Sequence, residues 1–429
     1  MTSPRNAAAA LRGFSLRRWA AATFRSLAVP NYRLWAGGAL VSNIGTWMQR
    51  TAQDWIVLTQ LTKNSATAVG IVMSLQFGPP ILLLPLSGWA ADHLDRRKLL
   101  VATQGAMALL ALGLGLLTVS HLVTLTQVYL FAFGLGCVAA FDSPVRQTFV
   151  AELVGDADLP NAVALNSASF NGARMVGPAV AGVMIAGIGS GWVFLANAAS
   201  FIAVIASLLR LRVDRLHPVT RVDPARSGLA DGLRYVWGRP DLKAMLLMMF
   251  LVSTYGLNFP IFISTMAVTV FHAGAHEYGL LTSMMAVGSV VGALLAAGRR
   301  RPGIGLLIGA AAVFGIGCAS AALMPGIRLF GLFLVGVGIA AQTFTTSTNS
   351  LVQLATEPAM RGRVMAILFA IILGCTPLGA PLVGWVADAW GPRWALGVAA
   401  LSGIAAAAVG LRHLAQRRAA PARTGPARD

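Results

Sequence analysis

Four residues near the start of the chain, Asn43, Trp47, Arg50 and Asp54, recur at the spacing of one helical face. Arg50 and Asp54 are one turn apart, a spacing at which a guanidinium and a carboxylate can pair. If the surrounding apolar stretch crosses a membrane, a charged group at its centre costs about 2.5 to 3.5 kcal/mol and normally faces water or a partner. We therefore expect this face, with the adjacent Gln53, to line a polar cavity.

Asp54 is the candidate proton carrier of this face. Its protonation would free Arg50, and re-pairing would favour the deprotonated form, so proton occupancy could bias two conformations of the protein. A permanent structural ion pair between the same two residues is the alternative. Either way, the sequence offers Asp54 as the one mid-span carboxylate candidate.

A second polar face combines Asn166, Phe170 and Arg174 at four-residue intervals. Arg174 has no acid within its own apolar block, so a neighbouring helix, an anionic substrate group or cavity water must satisfy it. Asn258 and Pro260 interrupt another apolar block, which predicts a bent helix and a further part of a substrate surface. These residues need long helices to position them.

The composition supplies such helices. Of 429 residues, 56% are hydrophobic and only 11% are charged, whereas soluble domains carry about 25% charged residues. The apolar residues form blocks near the length of about 20 residues that crosses a bilayer. We predict twelve spans, at residues 34–61, 66–91, 99–119, 123–141, 163–186, 190–210, 244–270, 278–298, 304–323, 328–347, 364–388 and 392–411.

The formal charge of +18 is distributed as in a membrane protein. Among the loops of one predicted face, only Lys63, Arg328 and Arg393 are basic. Arg50 and Arg174 lie within spans, and the remaining Lys and Arg residues lie in the termini and loops of the other face. By the positive-inside rule both termini are cytoplasmic, in a multi-pass protein of the cell (inner) membrane. The same distribution argues against a nucleic-acid partner.

The chain divides near its middle into two similar parts. GPAVAG at Gly177–Gly182 is similar to GAPLVG at Gly379–Gly384, and AVGIVMS from Ala68 is similar to EYGLLTS from Glu277. Such repeats build many transporters. The predicted organisation is an arm (1–33), a six-helix half (34–210), a linker (211–243), a second six-helix half (244–411) and a tail (412–429). Part of the linker could form a surface helix or remain a solvated loop.

A charged turn, GWAADHLDRRK, joins the second and third spans. This stretch resembles the signature loop of the major facilitator superfamily. The resemblance implies that Gly88, Ala91, Asp92, Arg96 and Arg97 form a latch that holds the outward-facing state and releases during alternating access. Asp95 replaces the usual glycine, and the corresponding loop GRRRPG of the second half lacks the acid, so we expect the latch to be one-sided. A generic charged loop is the alternative.

The fifth span contains GARMVGPAVAG. Pro178 removes a backbone hydrogen bond, and the glycines permit close approach of a neighbouring helix. The pattern resembles the superfamily's antiporter motif at Gly172, Gly177, Pro178 and Gly182, which implies export. Ordinary glycine-mediated helix packing is the alternative. At the end of the fourth span, Asp142, Pro144 and Arg146 predict a helix stop combined with a charge pair.

The stretches NYRLWAGGALVSNIGTWMQRTAQDWIVL and FDSPVRQTF resemble the branch that contains enterobactin exporters and macrolide efflux proteins, the transmembrane secretion effectors. The resemblance implies an all-α major facilitator fold and proton-coupled export of a small amphipathic molecule such as a drug, siderophore or metabolite. A nutrient importer or facilitator and a non-transporting sensor are the alternatives. We expect a monomer in the lipid bilayer that uses protons, with no cofactor, no metal site, no enzymatic activity and no ATP-binding loop.

Overall fold

A computed structural model describes residues 23–217, 229–297 and 303–419. Within these ranges the chain is helical and contains no β-strand. Most of the predicted N-terminal arm, the middle of the linker, nearly all of the GRRRPG loop and the end of the tail lie outside the described residues.

The first half contains six bundle helices: α1 (Pro30–Ile56, continued by wider turns over Val57–Leu61), α2 (Ala66–Phe77, Pro79–Leu82 and Leu84–His93), α3 (Arg96–Val119), α4 (Leu125–Leu153), α5 (Leu159–Ile188) and α6 (Ser190–Leu209). A short helix, Leu229–Gly238, lies in the linker. The second half contains α7 (Pro240–Leu251, Val252–Gly256, Phe259–Thr265 and Met266–Val270), α8 (Ala275–Ala297), α9 (Ile304–Ala322), α10 (Ile327–Ala355), α11 (Arg361–Trp390) and α12 (Pro392–Ala419).

These helices coincide with the predicted spans but are longer at several ends. The clearest difference is α4, which continues through Pro144 to Leu153, so the predicted helix stop is wrong. A proline within a membrane helix removes one backbone hydrogen bond without ending the helix when neighbouring groups compensate. In the seventh span, where a bend is predicted, α7 is interrupted at Leu257 and Asn258.

Nine of the described helices are long and apolar enough to cross a membrane. A tenth is α2 if its parts Ala66–Leu82 and Leu84–His93, bent by 56°, form one span. The two other bundle helices, α1 and α5, are long and continuous but contain more polar residues. They are the helices that contain Arg50, Asp54 and Arg174. Helices that line a polar cavity are expected to be less apolar than the other spans, as α1 and α5 are. The bundle as a whole has the composition of an all-α membrane protein.

The glycines of the repeated sequences lie at equivalent contacts between the halves. Gly182 of α5 meets α8, where an added Cβ would lie 2.6 Å from the carbonyl oxygen of Ala275. Gly384 of α11 meets α2 in the same way, 2.6 Å from the carbonyl oxygen of Ala66. Both contacts require a residue without a side chain. The repeats thus correspond to two equivalent helix crossings.

The two ends of the bundle differ. We call the end where α1 begins the terminal end and the opposite end the distal end. Within the described residues, hydrogen bonds between the halves occur only toward the distal end. There Asp388 of α11 contacts the start of α2, Ser74 of α2 donates to the carbonyl of Pro377, and Tyr278 of α8 donates to Asp54 of α1. The distal end is therefore closed in this conformation.

Candidate functional site

A cavity of about 220 Å³ lies between the two halves. Its lining comes from α1, α2 and α5 of the first half and from α7, α8 and α11 of the second. The charged lining residues are Arg50, Asp54 and Arg174, and most of the others are apolar or aromatic. The predicted polar faces of α1 and α5 therefore meet at one site.

Two guanidinium groups lie over the indole of Trp47. Arg50 lies over this ring at 4.9 Å from its centroid and also over Phe77 at 5.0 Å, while Arg174 lies 5.6 Å from the Trp47 centroid. Phe170 packs edge-on against the same indole, with centroids 5.7 Å apart. Cation–π contacts of this kind orient cations in places where water is scarce.

Arg50 and Asp54 do not form the predicted ion pair in this conformation. The Arg50 guanidinium is directed to Trp47, one turn back along α1, and its buried Nε has no hydrogen-bond partner within the described residues. Side chains in a helix point toward its N-terminus, which directs Arg50 away from Asp54. The role of either residue in proton coupling stays a prediction.

Asp54 instead contacts the other half. Its carboxylate is 7% exposed and accepts a hydrogen bond of 3.4 Å from the Tyr278 hydroxyl of α8. Trp55 stacks on the Tyr278 ring, with centroids 5.9 Å apart and an interplanar angle of 21°. A buried carboxylate on one half therefore contacts a hydroxyl on the other. Tyr278 was missed because the periodicity of α1 says nothing about which residue faces it.

Of the other cavity candidates, Trp47 lines the cavity and the remaining five do not. Gln53 is buried behind it and accepts a hydrogen bond from the lining residue Gln76. Asn258 is fully buried at the break in α7 and donates to the carbonyl of Thr254. Its role is local, since an unwound turn needs its backbone groups satisfied. Asn166 and Phe170 lie on α5 toward the terminal end.

Asn43 belongs to a separate buried network within the first half. Its Oδ1 accepts a hydrogen bond from Arg146, which also pairs with Asp142 at 3.1 Å. Asp142 is 5% exposed, and its carboxylate further accepts bonds from Thr103 and Gln104. The predicted charge pair is therefore present, but Asp54 is not the sole buried carboxylate. The error followed from ending the fourth span before Asp142.

The latch residues hold the loop between α2 and α3 against the first half. Arg96 pairs with Glu152 of α4 at 2.7 Å, and Arg97 donates to the carbonyls of Leu208 and Leu209 at the end of α6. Ala91 is buried, whereas Asp92 is exposed. An added Cβ on Gly88 would have no neighbour within 4 Å. Within the described residues, Asp92 has no hydrogen-bond partner in the second half.

The glycines of the antiporter-like motif have different surroundings. Gly177 packs on α1, where an added Cβ would lie 2.6 Å from Cβ of Trp47. Gly182 packs on α8, and the carbonyl oxygen of Pro178 lies against Gly279 of the same helix. Gly172 has no neighbour that an added Cβ would meet within 4 Å. Three of the four residues therefore form helix contacts, two of them between the halves.

The described residues contain no group of three His, Cys, Asp or Glu side chains that could hold a metal ion. The site chemistry that the structure presents is therefore that of two cations, one carboxylate, one phenol and aromatic rings at the interface between the halves.

Comparisons with known proteins show which family this chain belongs to. Residues 21–423 match the model of the transmembrane secretion effectors. The staphyloferrin A transporter of Staphylococcus aureus is 26% identical over 81% of this chain and 87% of its own length. The multidrug efflux pump Tap of Mycolicibacterium fortuitum (82% and 88%) and the enterobactin exporter EntS of Citrobacter koseri (83% and 84%) are also 26% identical.

Solved structures share the fold. A bacterial homologue of the human lysosomal transporter Spinster, in an inward-facing and unoccupied conformation, superposes with a TM-score of 0.66 over 90% of this chain and 96% of that one, at 15% identity. The D-xylose-proton symporter superposes with a TM-score of 0.70 over 90% and 98%, at 13% identity. Two six-helix halves, a cavity between them and a family match over nearly the whole sequence agree: this chain belongs to the transmembrane secretion effectors, a family of major facilitator transporters.

Proposed function

We propose that this transporter is a proton-coupled exporter of a small amphipathic organic molecule that carries an anionic group. The observation that carries the proposal is the pair of guanidiniums, Arg50 and Arg174, that both contact the Trp47 ring in the central cavity. The cavity has two cations and one carboxylate, Asp54. The unmatched positive charge suits an anionic substrate group, because a buried cation is costly unless it is paired.

The remainder of the lining favours an apolar body on the same molecule. Phe77, Phe259 and Met285 are among the apolar residues around the charged groups. Aromatic and thioether side chains accommodate varied apolar shapes at little conformational cost. A molecule with an apolar framework and one carboxylate, phosphate or sulfonate would therefore match both parts of the cavity.

Alternating access is supported by the asymmetry of the bundle. The halves are joined at the distal end by α2 with α11 and by α5 with α8. By the positive-inside rule the terminal end faces the cytoplasm. The cavity would then be approached from the cytoplasm in this conformation, which is the loading state of an exporter. We propose that the molecule acts as a monomer with both termini in the cytoplasm.

The direction of transport is supported by the relatives. Two of them are named as an efflux pump and an exporter, and Pro178 and Gly182 of the antiporter-like motif lie at the interface between the halves. Import is the second candidate, because the superposable D-xylose-proton symporter shows that the same fold serves proton symport.

The test is a comparison of cells that lack and overexpress the gene, grown with toxic compounds and profiled for secreted metabolites. We expect at least one amphipathic anion whose efflux follows gene dosage and collapses when a protonophore dissipates the proton gradient. An anion that accumulates inside cells upon overexpression would instead establish import. Efflux that follows the gene but is insensitive to the protonophore would contradict proton coupling.

A further inference from the structure

A second copy of the latch sequence lies at the opposite end of the molecule. GWAAD, at residues 88–92, ends α2, and GWVAD, at residues 384–388, ends α11. The two copies share four of five residues, including the glycine and the aspartate, and Arg393 stands where Arg97 does in the first copy. The first copy lies at the terminal end and the second at the distal end, because α2 and α11 run in opposite directions.

The position of the copies agrees with the symmetry of the fold. Each half of a major facilitator consists of three-helix units related by inverted topology. The second helix of the first unit and the second helix of the last unit, α2 and α11, are related in this way. A latch at the terminal end of α2 therefore has its inverted equivalent at the distal end of α11, whereas direct repetition of the halves leads to the loop after α8.

Asp388 makes the contact that such a latch requires. Its carboxylate accepts hydrogen bonds from the backbone N–H groups of Ala66 (2.6 Å) and Thr67 (2.9 Å), the first two residues of α2. It also accepts bonds from the hydroxyls of Ser65 (3.0 Å) and Thr67 (2.6 Å). The helix N-terminus has unpaired donors and a partial positive charge, so a carboxylate there is favourable.

The two copies are in opposite states in the same structure. Gly384 is packed against the start of α2, whereas Gly88 has open space around its Cα. Asp388 is bonded across the halves, whereas Asp92 has no partner in the second half among the described residues. This is the pattern expected of two gates of which one is closed and the other open.

We propose that Asp388 is a positioning residue of the transport cycle: it closes the distal end by capping α2 across the halves, and it releases when Asp92 closes the terminal end. The proposal rests on the proposed alternating-access function. It differs from the expected one-sided latch, because it places a gate at each end of the bundle. Opening the distal end would break the contacts of Asp388, and closing the terminal end would form those of Asp92. Each of the two conformations would therefore be stabilised by one contact between the halves.

The test measures conformation, so that it is independent of any substrate. Leu122 and Leu323 are exposed loop residues on opposite halves at the distal end. Spin labels at these two positions report the distance across that end by pulsed electron paramagnetic resonance. The purified full-length chain is used, with Cys137, Cys318 and Cys375 replaced by serine. We expect Asp388→Asn to raise the ratio of long-distance to short-distance populations at least tenfold, because the amide cannot accept all four bonds.

Three variants complete the test. Thr67→Val removes one of the four bonds and should shift the ratio in the same direction by a smaller factor. Asp92→Asn should lower the ratio. Glu277→Gln is the matched control, because this distal acid bonds within its own half, to the backbone of Gly274, and should leave the ratio unchanged.

An unchanged distance distribution in both Asp388→Asn and Thr67→Val, with monodisperse protein, would overturn the proposal. A shift of Asp92→Asn in the same direction as Asp388→Asn would overturn it as well. A failure of the proposed export function would appear separately, as absence of gene-dependent efflux, and would leave these distances as they are.

Discussion

Asp54 of α1 accepts a hydrogen bond from the hydroxyl of Tyr278 of α8, so a buried carboxylate of one half is held by the other half. The bond is long, at 3.4 Å, and the Tyr278 ring is fixed by stacking on Trp55. A contact of this kind can exist only while the two halves approach each other at the distal end. The proposed protonation of Asp54 would therefore be linked, through this contact, to closure of the distal end.

Asp54→Asn should remove the acceleration of efflux by a proton gradient. The amide has the size of the carboxylate and can still accept a hydrogen bond, but it cannot bind and release a proton. The measurement is efflux of the identified substrate from proteoliposomes with and without an imposed pH difference. Asp156→Asn, on an exposed loop, is the control and should behave as the parent protein. A gradient response that survives in Asp54→Asn would show that the proton binds elsewhere.

Tyr278→Phe should retain the gradient response but turn over more slowly, by about tenfold. A hydrogen bond to a charged group contributes roughly 1.5 to 3 kcal/mol, and this long bond of 3.4 Å belongs at the low end of that range. The ring and its stacking on Trp55 remain. The rate is measured in the same proteoliposomes at saturating substrate. A parent-like rate would mean that the long bond to Asp54 contributes nothing to the cycle.

Arg50→Gln and Arg174→Gln should each weaken binding of an anionic substrate by about tenfold to a hundredfold, because each removes a charge-assisted contact. A neutral ester of the same molecule should lose little affinity. Arg33→Gln lies on α1 but is exposed near the terminal end and is the matched control. Calorimetry on the purified parent protein and the three variants measures the affinity for the anion and for its ester. Binding that is unaffected by Arg174→Gln would eliminate the substrate role of Arg174.

The helices could be predicted from the sequence because apolar blocks of membrane-spanning length are a strong one-dimensional signal. The convergence of α1 and α5 on one cavity also followed from spacing, since Trp47, Arg50, Asp54 and Arg174 all line it. The spacing of residues along a helix does not predict the direction in which each side chain points. Arg50 and Asp54 are close enough along α1 to pair, but Arg50 lies over Trp47 and Phe77 instead.

Residues whose role depends on another helix could not be found from one helix alone. Tyr278 and Asp388 act through contacts with α1 and α2, and no periodicity within α8 or α11 indicates those partners. For Asp388 a signal did exist, since GWVAD is similar to GWAAD. Direct repetition of the halves does not align these two stretches, because they are related by inversion.

Gly182→Ala should disfavour the distal-closed conformation, because the added methyl would meet the Ala275 carbonyl oxygen at 2.6 Å and the Cα atom of Gly279 at 3.1 Å. Overpacking of this kind costs about 1 to 3 kcal/mol, and the cost applies only while α5 and α8 are in contact. The distal spin-label distance should lengthen. Gly187→Ala, on the same helix with nothing within 4 Å, should leave the distance unchanged. Equal behaviour of the two variants would contradict this account of the interface.

The Asn43 network should prove structural, in contrast to Asp54. Asp142→Ala would leave the partly buried Arg146 guanidinium without its carboxylate, and breaking a fully buried pair typically costs about 3 to 5 kcal/mol, which is an upper bound here. We expect a clear fall in the melting temperature of the purified protein. The double variant Asp142→Asn with Arg146→Gln should recover part of that loss, because no charge remains uncompensated.

The same network also provides a second test of which carboxylate carries the proton. Asp142 is held by Arg146, Thr103 and Gln104, all within the first half, so its contacts need not change when the halves separate at the distal end. Asp54 is bonded across the halves and must change its contacts. Asp142→Asn should therefore keep the response of efflux to a pH gradient. Loss of that response without loss of thermal stability would transfer the carrier role from Asp54 to Asp142.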